Sequence, residues 1–356
     1  MKDYKYEKLK QILIEKIQDY SWPAGSKILS ERELASRYDV SRITARKAVE
    51  DLIADEYLEH IPGKRGTFVK HQTNESEISN LVGVAIDHSL GLYQQSLLLG
   101  IEDCLWKYKK HTVYCNTYQD LLRVEEYFDS LVSKSMDGIV FSPVVTEDYR
   151  NKNSHYLQQM EKNSIPYVLV DRYIPGIDSS YVITNNRDSS YRLTETILNR
   201  GHENILLLSG IQCSSMADRV AGFEECLKDR GMNLPRENRL TVNDMFIDPR
   251  NKDERVRFMK KQLEDLKDFT AVVSLNTPLL MLADEAIGLM GINRTIEAAC
   301  YDAEKSSFTH VDQIARVVQP SYQMGYESAK TLMELKSSSS KITIQKVIPS
   351  ELETYI

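Results

Sequence analysis

The sequence predicts a multidomain chain of 356 residues: a small α+β module over residues 1–70, a linker over 71–79, and a bilobed α/β region with two parallel sheets over 80–356. Three observations carry this prediction. Between Leu29 and Thr67, two helix starts precede a basic hairpin bounded by glycines. His71 to Ser79, HQTNESEIS, is polar and has no apolar periodicity, the mark of a connecting segment. From Leu81 onward, short apolar runs of strand type alternate with helical patterns, which builds parallel sheets through right-handed crossovers. The length suits one small domain plus a large or two-lobed one, and a hydrophobic content of 42% is enough to fill real cores.

In chain order, Tyr6, Leu9, Leu13, Ile17 and Tyr20 recur at helical spacing and predict a scaffold helix that ends at Trp22-Pro23-Ala24-Gly25. Ser30 with Glu33 makes a capping-box pattern, so a helix begins at about Glu31. Asp39 sits in the break before a second start at Ser41, whose hydroxyl can accept from the freed amides of the next turn. From there Ala45, Ala48, Val49 and Leu52 give one apolar face, while Arg42, Thr44, Arg46 and Lys47 make the opening turns polar and cationic. Pro62 stops the strand that follows, and Gly63-Lys64-Arg65-Gly66 puts two charges at a tight turn before Thr67-Phe68-Val69.

A cationic helix start can enter a major groove, where arginine forks match guanine O6 and N7 and hydroxyls meet phosphates or base edges. A basic hairpin can reach the adjacent minor groove or the phosphates. The competing reading is a merely solvated helix face. The order of capping box, helix, short break, cationic helix and basic hairpin argues against it. Charge is divided the same way: residues 1–70 carry fourteen Lys and Arg against twelve Asp and Glu, net +2, which leaves -9 of the total -7 on the remainder. An acidic bulk repels DNA while the first module faces it.

Over about residues 5 to 70, ILSERELASRYDVSRITARKAVEDLIADEYLEHIPGKRGTFV and its flanks resemble the winged helix-turn-helix of the GntR family of bacterial transcription regulators. The resemblance implies that Arg32, Ser41, Arg42, Thr44 and Arg46 contact double-stranded operator DNA, with Lys64, Arg65 and Gly66 at the wing tip.

Beyond the linker, strands are expected at 81–87, 111–117, 138–143 and 166–172, with helices through 97–108, 124–133 and 156–162. The run 180–186 is expected to begin a second lobe, followed by a helix over 189–200, a strand at 204–210, a helix over 217–229 and strands at 269–276, 296–301 and 315–319. Two such sheets form a clamp whose ligand lies where the strand carboxyl ends face the cleft. VLVDR (168–172), Asn186, Arg219-Val-Ala-Gly222-Phe223, Asn276, Tyr301-Asp302 and Val318-Gln319-Pro320 with Met324-Gly325 make residues 80–356 resemble the sensor domain of LacI-type repressors and the periplasmic sugar-binding proteins. The combination with a GntR head is similar to the arabinose repressors of the AraR type.

That resemblance implies a small-molecule effector, a sugar or sugar derivative, held by Arg219, Asn276, Asp302 and Gln319. It also implies a homodimer joined through the sensor domains. Asp87 and Tyr93 after the first strand, and Asp171, Arg172 and Tyr173 after the fourth, are further candidates. Two readings stay open for Arg219, effector contact or brace within the lobe, and two for Asp302, effector contact or hinge cap. Thr277-Pro278 follows Asn276 where the family has an aspartate, which leaves pentose, hexose and sugar phosphate all open. A repressor released by its effector is the expected function, with an activator or effector-recruited regulator as the alternative.

An enzyme is not expected. None of the seven histidines falls at H-E-x-x-H or other metal spacing, and no G-x-S-x-G elbow or G-x-x-x-x-G-K-[ST] phosphate loop occurs. Cys104, Cys115, Cys213, Cys226 and Cys300 form no C-x-x-C pair, so neither a metal nor a disulfide framework is expected, and no cofactor. The N-terminus lacks the apolar core of a signal peptide and no run reaches the length of a membrane span, so the expectation is a cytoplasmic protein.

Overall fold

The computed structural model describes the chain apart from residues 1, 19, 20, 24, 62, 71–78, 88–90, 135, 243–250, 267, 293, 339 and 356. Tyr20, Ala24, Pro62 and all of the expected linker except Ser79 lie outside the described residues. The chain divides into two compact units, Met1–Ile78 and Ser79–Ile356.

The first unit holds α1 (Lys2–Gln18), α2 (Glu31–Arg37), α3 (Arg42–Ala54), β1 (Leu58–Glu59) and β2 (Phe68–Val69). Its local sequence dictates its turns. Ser30 and Glu33 complete the capping box, with Ser30 N donating to Glu33 Oε2 at 2.7 Å. Asp39 takes a left-handed backbone, φ 49°, in the break between α2 and α3, a conformation that Asp tolerates better than most residues. Leu9, Leu13, Leu34, Ala45, Ala48, Val49, Leu52, Leu58 and Val69 close one core beneath α3. The wing is the antiparallel pair of β1 and β2, extended by a bridge from Lys27 to Phe68.

The second unit runs β3 (Leu81–Ile86), α4 (Leu92–Lys107), β4 (His111–Asn116), α5 (Leu121–Ser133), β5 (Gly138–Phe141), α6 (Tyr149–Lys162), β6 (Tyr167–Val170) and β7 (Tyr181–Thr184). It continues with α7 (Asn186–Asn199), β8 (Ile205–Ser209), α8 (Ser214–Asp229), β9 (Arg239–Thr241), α9 (Lys252–Glu264), β10 (Ala271–Ser274), α10 (Thr277–Met290) and β11 (Glu297–Tyr301). The last elements are β12 (Asp312–Val318), α11 (Ser321–Ser337), β13 (Gln345–Ile348) and β14 (Glu351–Thr354). Two six-stranded sheets result, ordered β13-β7-β6-β5-β3-β4 and β14-β12-β11-β10-β8-β9. Both are parallel except for β14, which runs antiparallel to β12.

Residues 180–186 do not open the second lobe. β7 pairs with β6 in the first sheet, and Val182 is buried in one cluster with Val168 and Val170. No helix intervenes between β6 and β7, and that break in the alternation is what reads as a boundary in the sequence. The chain crosses between lobes one strand later, at Asn185. It crosses back after β12 at Gln319–Pro320, and α11 then packs on α4 in the first lobe, with Met324 and Leu332 joining Leu97 and Ile101. A Cβ on Gly100 would lie 2.0 Å from the Tyr322 carbonyl oxygen, so only glycine allows that helix crossing. A third crossing, at Pro349–Ser350, joins β13 in one sheet to β14 in the other.

Candidate functional site

Two groups of predicted residues stand in this fold, one in each unit. On the first unit, Arg32, Arg42, Arg46, Lys64 and Arg65 are exposed. Ser41 caps α3: its Oγ accepts from Thr44 N at 3.0 Å and shares a hydrogen with Thr44 Oγ1 at 2.8 Å, so both hydroxyls also hold the helix start in place. Arg46 Nε donates to Glu50 Oε1 at 2.9 Å, and Lys47 Nζ lies 4.8 Å from the Tyr6 ring centre. Gly63 and Gly66, at φ 80° and 123°, bracket Lys64 and Arg65 at the wing tip. Lys64 Nζ lies 5.9 Å from the Phe68 ring centre, and His60 Nδ1 lies 3.2 Å from the Gly66 carbonyl oxygen.

In the second unit, equivalent strands of the two sheets end on the same device. Asp171 follows β6 and Asp302 follows β11, each with a left-handed backbone, at φ 71° and 60°. The first lobe gathers two predicted residues around a third, Asp171: Tyr93 Oη donates to its Oδ1 at 2.6 Å, and Arg172 Nη2 meets its Oδ2 at 3.0 Å. Arg172 Nη1 also donates to Ser142 Oγ and to the Pro143 carbonyl, both at 3.0 Å. Asp87 accepts from Gln119 Nε2 at 2.9 Å, and its charge acts on Arg172.

The second lobe gathers Arg219, Gln319 and Asp302 into one chain of contacts. Arg219, 7% exposed, donates from Nε to Asn186 Oδ1 at 2.7 Å, from Nη1 to the Leu275 carbonyl at 2.7 Å and from Nη2 to Gln319 Oε1 at 2.8 Å. Its guanidinium carbon lies 3.7 Å from the Tyr301 ring centre. Gln319 in turn donates from its backbone N and its Nε2 to the two Asp302 oxygens, at 3.0 and 2.6 Å. Asn276, next to Leu275, caps α10 by accepting from Leu279 N at 3.0 Å. Arg219 therefore ties two lobe crossings, at Asn186 and at Gln319, to a strand end of the second sheet.

Three connections escape a reading of the sequence. Tyr173 N donates to Ser214 Oγ at 2.8 Å across the lobes, and Tyr173 Oη reaches Asp218 Oδ1 at 3.4 Å. Tyr149, on α6 of the first lobe, packs in the core cluster of the second and donates to the Tyr173 carbonyl at 2.8 Å. At the hinge, Ser350 donates from N and Oγ to Asn185 Oδ1, each at 2.8 Å, so the first and third crossings are fastened together. No local pattern marks Asn185 or Ser350. Only the fold makes them neighbours.

Burial pushes the Asp302 carboxyl above its ordinary range, aided by the Asp171 charge and opposed by the Gln319 hydrogen bonds and the Arg219 charge. Burial, together with the Asp171 charge and hydrogen bond, pushes the Tyr93 phenol well above its ordinary value. The two strand ends are thus desolvated, and each carries a carboxylate with a guanidinium nearby, a set of donors and acceptors suited to hydrogen-bonding a polar ligand. Among the described residues no group of three His, Cys, Asp or Glu could hold a metal ion, and no helix is long and apolar enough to cross a membrane. The five cysteines are buried and unpaired.

Comparison with known proteins assigns both units. Residues 5–69 match the model of bacterial regulatory proteins of the gntR family, and residues 83–339 match the periplasmic binding protein domain. An arabinose metabolism transcriptional repressor of Halalkalibacterium halodurans is 24% identical over 339 residues, covering 92% of this chain and 88% of that protein. Among solved structures, the complex of the transcriptional regulator CelR with cellobiose superposes with a TM-score of 0.65 at 18% identity, over 88% of this chain and 89% of the other. A LacI family regulator from Enterococcus faecium with bound ribose gives 0.60 at 22% identity, over 77% and 97%. The chain belongs to the family of the periplasmic binding protein domain and, carrying a gntR-type helix-turn-helix head, is a DNA-binding transcriptional regulator.

Proposed function

We propose that this regulator is a cytoplasmic homodimeric repressor that leaves a pseudo-palindromic operator when an uncharged sugar closes the two lobes of its sensor. Residues 1–70 bind DNA, 71–79 link, and 80–356 bind the effector and dimerise. Arg32, Arg42 and Arg46 meet the duplex from the two helices, and Lys64 and Arg65 from the wing, with Ser41, Thr44 and Gly66 shaping those elements. One such module gives an interface on the order of 600 to 1,000 Å², so specific affinity calls for two.

The observation that carries the effector reading is the contact chain from Asp302 through Gln319 to Arg219 and Asn186. A ligand that hydrogen-bonds Asp302 and Asn276 on one wall and Asp171, Tyr93 and Arg172 on the other touches groups wired to two of the three crossings. Closure and hinge geometry are then one event. Asp87 lies at the edge of this set. The arginine forks already serve Asp171, Ser142, Gln319 and two carbonyls, while the carboxylates of Asp171 and Asp302 raise the electrostatic cost of a phosphate. An uncharged polyol fits better than a phosphate ester.

A ligand shifts such an equilibrium only by its differential affinity, and moving it from 99:1 to 1:99 takes about 5.5 kcal/mol. The test is operator binding, on duplexes enriched from a random pool by the full chain, across a panel of neutral sugars and their phosphates. Release by a neutral sugar is expected. Operator affinity indifferent to every sugar, or a protein that sediments as a monomer and protects one half-site, would overturn the proposal.

A further inference from the structure

We infer that Ile43 reads the 5-methyl group of a thymine in the major groove. It is 81% exposed, the sole exposed large apolar side chain among the described residues of the DNA-reading unit. Its place on α3 gives that exposure a direction. The helix buries Ala45, Ala48, Val49 and Leu52, and at 100° per residue Ile43 projects opposite that stripe, between Arg46 and Lys47 and one turn ahead of them. It therefore occupies the middle of the outward face at the start of the helix, with Arg42 and Arg46 to one side of it and Lys47 to the other.

Among the described residues of the unit, Ile43 belongs neither to the core nor to the side chains packed against it. A β-branched residue lowers helix propensity slightly, and an apolar side chain on an outward helix face gains nothing from water. What isoleucine does offer is stiffness. In a helix its χ1 is almost confined to one rotamer, so little side-chain entropy is lost when it docks. The neighbouring cations are tethered away from it, Arg46 to Glu50 and Lys47 over Tyr6, which leaves the apolar tip standing clear. On the floor of a major groove the one apolar feature is the thymine methyl, and apolar side chains mark it in preference to the other three base pairs.

The inference rests on the reading of this unit as a DNA-binding head, and its test separates the two. Operator duplexes enriched from a random pool are remade with deoxyuridine replacing thymidine one position at a time, which deletes a single methyl group. Wild-type affinity should fall about fourfold at one position per half-site, the change that follows from burying one methyl-sized group at about 0.8 kcal/mol. Ile43→Ala, which loses no buried contact and should melt no lower than wild type, should be indifferent to deoxyuridine at that position. If the wild type tolerates every deoxyuridine, or if Ile43→Ala keeps the same penalty, Ile43 reads no methyl although the unit still binds DNA. A pool from which no duplex is enriched overturns both readings together.

Discussion

Replacing Arg219 by Ala should destabilise the sensor unit more than any single surface change. The side chain is 7% exposed and makes three charge-assisted hydrogen bonds of 2.7, 2.7 and 2.8 Å while stacking on Tyr301. Truncation strands the Leu275 carbonyl, Gln319 Oε1 and Asn186 Oδ1, and takes the nearest cation from the Asp302 network. Breaking a buried charged cluster from one side costs about 3 to 5 kcal/mol, because the remaining partners stay buried without compensation. For a unit of this size each kcal/mol lowers the melting temperature by roughly 2 to 4 °C, so a fall of about 10 °C is expected. Calorimetry on the full chain, following the transition of residues 79–356, measures it. Arg219→Met controls for volume and should recover the packing over Tyr301 while leaving the polar deficit. If Arg219→Ala melts within the roughly 1 kcal/mol typical of an exposed ion pair, the bracing argument is wrong. The same variant, titrated with effector, should bind its operator and fail to release it.

Arg42→Ala should cost roughly 1 to 3 kcal/mol and relax preference at one base pair, whereas Lys64→Ala should weaken all sequences alike and flatten the salt dependence by about one unit of slope. Binding isotherms on the operator and on unrelated duplexes at several salt concentrations distinguish them. The Arg200 hydrogen bond holds Glu297 below its ordinary value of 4.5, against burial and with help from His202. A carboxyl lowered on folding stabilises above its unfolded pKa and loses that contribution as pH falls through the folded one. Melting temperatures measured on the acid side should therefore fall more steeply for wild type than for Glu297→Gln, and parallel curves would refute the linkage. Burial pushes Cys104, Cys115 and Cys226 up to about 11 and Cys300 up to about 12. A thiol reagent at neutral pH should therefore find the native chain inert and react with five thiols once it unfolds.

What could be read from the residues alone depended on how far apart the interacting partners lie. Ser30 with Glu33, and Ser41 with Thr44, interact within one helical turn, so their patterns appear as the caps they are. The apolar runs of β3, β5, β6 and β8 are buried in their sheets, so period and length identify them. Arg219 is different: its three partners lie 33, 56 and 100 residues away, so the contacts by which it braces the lobe have no local signature. Asn185 and Ser350, 165 residues apart, were invisible for the same reason. The lobe boundary was misplaced by one strand because β7 joins the first sheet without a helix before it, and pairing is a property of neighbours in space. Elements β9, α9, α10, α11, β13 and β14 were not anticipated at all. β13 and β14 each lie at a sheet edge, half exposed, where an apolar run is not required.

The third crossing has a consequence for biosynthesis. β13 and β14 come after every other strand of the two sheets in chain order, and each supplies one edge, of a different sheet. A nascent chain that has emerged through β12 has two open borders, the free sides of β7 and β12, and such borders invite pairing with a neighbouring nascent chain. Neither lobe matures ahead of the other. Completion of both waits for the same dozen residues, so a copy truncated before Gln345 lacks an edge strand in each lobe and becomes a substrate for proteolysis, while the head preceding it can already have folded. Degradation of such partial copies would keep heads without a finished sensor from competing for operators.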